Sequence, residues 1–125
     1  MVAIDEYIHK YVMPELKIIA SNIGEELVVT EKEIKAIWTQ QQGRCAYSGI
    51  KLDPEQGENS DSYPQLAPKD LYKGTQVSNL CFVCNFIFVR FLDISPSEMY
   101  DWCLKIMRTL YSKVEVLNVS GLQQR

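Results

Sequence analysis

Two short cysteine motifs constrain this chain more than anything else in it. Gly43-Arg44-Cys45-Ala46-Tyr47-Ser48-Gly49-Ile50 has the form of a C-x-x-C metal-binding turn, with Ser48 where the second thiolate would stand. About thirty residues later comes Cys81-Phe82-Val83-Cys84. A polar loop carrying Asp53, Pro54, Gly57, Asn59, Ser60, Asp61 and Ser62 separates them. Such a chain is expected to fold around a Cys–loop–Cys core.

The 125 residues, 46% of them hydrophobic, suffice for one domain's core. Four cysteines read as free thiols or metal ligands, not as a disulfide frame. No apolar run approaches the roughly 20 residues that span a bilayer. Asp5 and Glu6 stand where a secretory signal carries positive charge. The expectation is a cytoplasmic protein with no membrane partner.

The net charge of −3 is not that of a general nucleic-acid binder. It is also uneven. Residues 1–31 hold six acids (Asp5, Glu6, Glu15, Glu25, Glu26, Glu31) against Lys10 and Lys17, a net of −4, so the remainder carries +1. The cysteine-bearing part is near neutral, which permits weak nucleic-acid contact and no strong electrostatic capture.

Ile4, Ile8, Val12, Leu16, Ile19 and Ile23 recur at helical spacing, and Pro14 interrupts them. The spacing predicts two short helices in an arm over residues 1–30, with Pro14 in the first turn of the second. Its apolar stripe suits packing or homodimerisation. Thr30-Glu31-Lys32-Glu33 is a capping box, so a helix is expected over 31–42, with Ile34, Ile37 and Trp38 on one face and Gly43 as its left-handed stop. Cys45 to Leu52 reads as a hairpin turning at Ser48-Gly49, and 53–64 and 65–78 read as irregular. Ser78 or Asn79 is expected to cap a buried helix holding Leu80, Val83, Cys84, Ile87, Phe88 and Phe91. Ser95-Pro96-Ser97-Glu98 opens a last helix, whose core stripe would be Met99, Trp102, Cys103, Ile106, Met107 and Leu110. A tail over 114–125 would follow, with a strand near Val114 to Val119.

In their order and spacing, the motifs Gln42 to Ile50, Lys73-Gly74, Asn79-Leu80, Val83-Cys84, Asp93-Ile94-Ser95 and Glu98 resemble an HNH (His-Me finger, ββα-metal) endonuclease domain. The similarity is to the small phage and large-virus forms related to recombination endonuclease VII, and it covers about residues 31–107. The resemblance implies an α+β fold: an HNH-like ββα core within 31–113, preceded by the helical arm and followed by a C-terminal helix. It also implies a hairpin acid followed by His or Arg, a helical Asn or His, and one divalent metal over a scissile phosphate.

Carried over residue by residue, that site is lost. The acid and His/Arg positions fall on Ala67 and Pro68, or on Pro64 and Gln65 in a looser alignment, and the helical position falls on Phe88. None of these side chains is a base that titrates near neutral pH. Asp70 matches a family acid but equally suits a turn. His9, the chain's one histidine, lies in the arm outside the resemblance. A structural zinc would draw on Cys45, Cys81, Cys84 and Cys103; as in family members that have replaced it with apolar side chains, none is expected.

The resemblance therefore implies a catalytically inactive endonuclease-like protein of phage or viral type, without cofactor, that binds a protein partner or, weakly, DNA or RNA. Candidate nucleic-acid contacts are Arg44, Lys51, Lys69, Tyr72, Lys73 and Arg90, with Tyr63 as a second surface aromatic. The phenylalanines from Phe82 to Phe91 are expected in the core. Two alternatives remain open. One is an active Mg²⁺-dependent nuclease rebuilt on Asp70, Asp61 or Glu58. The other is an inhibitor whose acidic arm mimics nucleic acid.

Overall fold

The computed structural model describes residues 2–70, 72–91 and 94–117. The fold is α+β, and the chain divides into two compact units, Met1–Asp93 and Ile94–Arg125. In the first unit, helix α1 (Val2–Tyr7) runs through a π-helical turn (Ile8–Val12) into α2 (Met13–Asn22). Pro14 lacks the N–H that an α-helix would need there. Pro14 stands in the first turn of α2, as expected, and the wider turn ahead of it, closed by the Met13 N–H on the Ile8 carbonyl, makes the interruption a bulge.

Ile4, Tyr7, Ile8, Val12, Met13, Leu16 and Ala20 are buried in the unit's own core beside Val29 and Ile34. The stripe expected to serve as a dimerisation face is largely consumed internally, leaving Ile18, Ile19 and Ile23 exposed. Asp5 pairs with Lys35, and His9 Nδ1 lies 2.7 Å from Glu31 Oε2. Both links tie the N-terminal helices to α3 (Glu31–Gln40).

The capping box of α3 forms as expected: Thr30 Oγ1 accepts the Glu33 N–H, and Glu33 accepts the Thr30 N–H. The helix ends two residues before the expected 42. Its left-handed residue is Gln42 (φ 58°), followed by Gly43 (φ 68°). The Gly43 N–H reaches the Trp38 carbonyl and the Gln42 N–H that of Thr39, which satisfies the helix's last carbonyls. A Cβ on Gly43 would come within 3.3 Å of the Trp38 ring.

The largest departure from expectation lies beyond the loop. Residues 64–68, read as irregular, form strand β1 (Pro64–Pro68), and Leu80–Cys84, read as helix, forms strand β2. The two pair antiparallel, with Leu66 opposite Phe82. Prolines at both ends hid β1, although a proline is tolerated at a strand's terminus. β2 is buried at every position, so it shows no alternation, and a continuous apolar run of that length does not separate strand from helix. Helix α4 (Asn85–Arg90) follows without a break. A short 3₁₀ turn, Val77–Asn79, takes the place of the expected cap.

Phe82 is 0% exposed and meets Trp38 edge-to-face, with ring centroids 5.2 Å apart. The free edge of β2 is closed by a side chain. Gln41 Nε2 donates to the Phe82 carbonyl, and Gln41 Oε1 accepts the Phe82 N–H, each at 2.9 Å. The same carbonyl also accepts the Ala46 N–H from the cysteine turn. One glutamine thus imitates a strand residue, which leaves no unpaired edge at Phe82.

In the second unit, α5 (Pro96–Leu117) starts on the expected capping box, with Ser95 Oγ accepting the Glu98 N–H at 3.1 Å. It continues through 114–117, where a strand was expected; residues 118–125 and Asp93 lie outside the described residues. Its supposed core stripe is mostly on the surface: Trp102, Cys103, Ile106, Met107 and Leu110 are all exposed.

Candidate nucleic-acid interface and thiol cluster

The positions that the HNH resemblance would give a catalytic pair, in either alignment, fall on β1. Ala67 pairs with Cys81 and Pro68 with Leu80, and neither side chain carries a donor atom for a metal or a proton. Gln65 is committed elsewhere, its Nε2 donating to Asn85 Oδ1 at 3.1 Å. This Gln65–Asn85 pair, missed in the sequence, joins β1 to the first turn of α4. Phe88 is half-buried and packs against the core.

Asp70 is a turn former. Its Oδ1 accepts the Tyr72 N–H at 2.9 Å, while its own N–H and carbonyl are held by Asn79. Asn79, buried, also donates to the Gly74 carbonyl. One side-chain amide therefore holds both Asp70 and Gly74. Gly74 has φ 73°, and a Cβ there would lie 2.9 Å from a Glu25 carboxylate oxygen. The Thr75 hydroxyl donates to the same carboxylate at 3.4 Å.

That loop raises Lys69, Tyr72 and Lys73 to the surface, and Tyr72 is 95% exposed. Its ring is free to stack, flanked in sequence by two cations. Arg44 and Lys51 form a separate pair, opposite one another in the bridge at the base of the cysteine turn. Arg90 lies over the Phe86 ring, 4.1 Å from its centroid, and Phe86 is itself exposed, contrary to the expectation of core. Tyr63 belongs to the core side. It is half-buried and meets Tyr7 edge-on, and Tyr7 in turn donates to the Pro64 carbonyl.

Glu58 lines a groove of about 160 Å³ with Tyr7, Glu15 and Tyr63, while Asp61 is exposed in the loop before β1. His9 is engaged with Glu31. Among the described residues, no three His, Cys, Asp or Glu side chains are grouped to hold a metal ion.

The buried thiols of β2, Cys81 and Cys84, meet different residues of the cysteine turn. Cys81 lies 3.9 Å from the Tyr47 hydroxyl. Burial pushes the Cys81 thiol up, and burial beside Cys81 does the same to the Tyr47 phenol. Cys84, at the head of α4, faces the cysteine turn, where Ser48 touches both sulfurs. The Ser48 N–H donates to Cys45 Sγ at 3.4 Å, and its Oγ lies 3.7 Å from Cys84 Sγ. Burial opposes ionisation of Cys45, but the Ser48 hydroxyl and the N–H groups aimed at the sulfur outweigh it and hold that thiol below its ordinary value. Cys84 is pushed up, chiefly by burial. Cys103 belongs to the second unit.

No family model, no curated protein and no solved structure matches the chain. Among the described residues, no helix is long and apolar enough to cross a membrane.

Proposed function

We propose that this chain is an HNH-like nuclease scaffold that binds nucleic acid without cutting it. The β1–β2–α4 succession supplies the ββα order that the reading requires. The observation that carries it is the composition of β1 and α4. The aligned acid and base positions hold Ala67 and Pro68, or Pro64 and Gln65, and the helical-ligand position holds Phe88. Water activation needs a proton acceptor, and a divalent metal needs several hard oxygen donors; these side chains offer no base and a single amide oxygen, that of Gln65. The carboxylate oxygen of Asp70 is engaged in its own turn.

Binding falls to the loop that survives. Lys69 and Lys73 contact phosphates, and Tyr72 stacks on a base. Glu25, fastened beneath the loop, tempers the positive potential, so binding is weak and salt-sensitive. A protein partner is the second reading, favoured by one observation: the exposed apolar face of α5 formed by Trp102, Ile106, Met107 and Leu110.

Incubating the pure protein with supercoiled plasmid and Mg²⁺ or Mn²⁺ is expected to leave the plasmid intact. Fluorescence anisotropy with labelled single-stranded, duplex and branched DNA is expected to show binding that Lys69→Glu with Lys73→Glu weakens on the order of 10-fold. Metal-dependent cleavage that Asp70→Ala abolishes would overturn the proposal in favour of an active enzyme.

A further inference from the structure

We infer that Cys45 and Cys84 form a redox pair that peroxide closes into an intramolecular disulfide, pinning the cysteine turn to the head of α4. The inference is independent of the nucleic-acid reading. Three features of the geometry lead to it.

The first is convergence. Ser48 contacts both sulfurs, through its N–H to Cys45 and its hydroxyl to Cys84. The two elements that carry them are far apart in sequence yet locked together, since the Ala46 N–H bonds the Phe82 carbonyl two residues before Cys84. The second is asymmetry. Ser48 touches Cys45 and Cys84, whereas the hydrogen-bond partner of Cys81 is the Tyr47 hydroxyl at 3.9 Å, so the contact that joins two sulfurs belongs to Cys45 and Cys84. The third is access. Residues 46–50 are exposed along the whole turn, so a small oxidant reaches Cys45 by displacing one surface turn, without opening β2.

The chemistry balances with peroxide as the oxidant. The Cys45 thiolate attacks one peroxide oxygen, the O–O bond breaks, and hydroxide leaves to become water, giving a sulfenic acid on Cys45. The Cys84 sulfur then attacks the Cys45 sulfur, the S–O bond breaks, and a second water leaves as the S–S bond forms. Two thiols have lost two electrons and peroxide has gained them. The Ser48 N–H, aimed at Cys45, stabilises the thiolate that starts the sequence.

The test uses the full chain carrying Cys103→Ser, which removes the one exposed thiol. Reduced protein is treated with hydrogen peroxide, and remaining thiols are alkylated in denaturant. Intact mass is expected to show loss of two hydrogens with one alkylated cysteine left, and peptide mapping is expected to link Cys45 to Cys84. The oxidised form should unfold less readily, its unfolding constant lower by on the order of 100-fold, because the bond closes a long loop. Adding Cys84→Ser should instead leave a sulfenic acid on Cys45 that dimedone traps; far-UV circular dichroism and the thermal midpoint check that this variant folds. A disulfide that includes Cys81, or three thiols that stay fully alkylatable after peroxide, overturns the inference.

Discussion

Two regions carry the same sequence device and end differently. The helical run over residues 2–22 and helix α5 each present an apolar stripe at helical spacing. In the first, Ile4, Ile8, Val12 and Leu16 are buried in one core cluster with Ile34 and Phe82. In the second, Trp102 is 54% and Leu110 53% exposed. Amphipathic spacing announces a face that gains from cover; it says nothing about what covers it. Cover comes from within the first unit in one case, while in the other the side chains stay exposed.

That contrast breaks most sharply in the core. Phe82→Ala removes the ring that Trp38 and Leu66 enclose, and is expected to cost about 3–5 kcal/mol in urea denaturation. If Phe82→Ala proved no worse than a surface change, the core described above would be wrong. Gln41→Ala is next. It strands the Phe82 N–H and weakens the closure of the strand edge, for an expected loss of about 2–3 kcal/mol. Gln41→Glu should fail to rescue it, because a carboxylate lacks the donor that meets the carbonyl.

Tyr7→Phe tests the seating of the first stripe. Losing the hydroxyl that bonds the Pro64 carbonyl should cost about 1–2 kcal/mol. It should also change the pH profile. Burial raises the Tyr7 phenol well above its ordinary value near 10. Below that value both folded and unfolded chains keep the proton. Above it the unfolded chain releases the proton and the folded one does not, so stability falls as pH climbs past about 10. Tyr7→Phe should flatten that fall in thermal melts taken across the alkaline range.

The two capping boxes sharpen the comparison further. Thr30→Ala should lower the unfolding free energy of the first unit by about 1 kcal/mol, read as a lower denaturation midpoint. Ser95→Ala, the same lesion at α5, should reduce helix content at 222 nm. The smallest effect belongs to the open face: Ile106→Ala is expected to stay within about 0.5 kcal/mol, as surface substitutions do.

Local chemistry was legible where it is self-contained. Thr30 with Glu33 and Ser95 with Glu98 need only their own backbone to form a cap, and both caps form. The hairpin at Cys45–Leu52 depends on a turn, and its bridge between Arg44 and Lys51 is present. The turn-forming role open to Asp70 is likewise local, and the loop uses it. Where the outcome depends on distant residues, the sequence misled. Leu80–Cys84 looked helical because a strand buried on both faces loses its alternation. The Gln65–Asn85 and Gln41–Phe82 links left no signal at all, since nothing in a glutamine's neighbours reveals which backbone it will meet.

By itself the amino-acid order determined the capped helix starts at Thr30 and Ser95, the cysteine turn and the absence of a base or hard ligand at Ala67, Pro68 and Phe88, because each follows from a side chain's own chemistry. Only the tertiary structure decided that β2 is a strand, that Cys84 rather than Cys81 joins Ser48 and Cys45, and that one apolar stripe is covered while the other is not. Those outcomes turn on which surfaces exclude water together, and that depends on contacts between residues far apart along the chain.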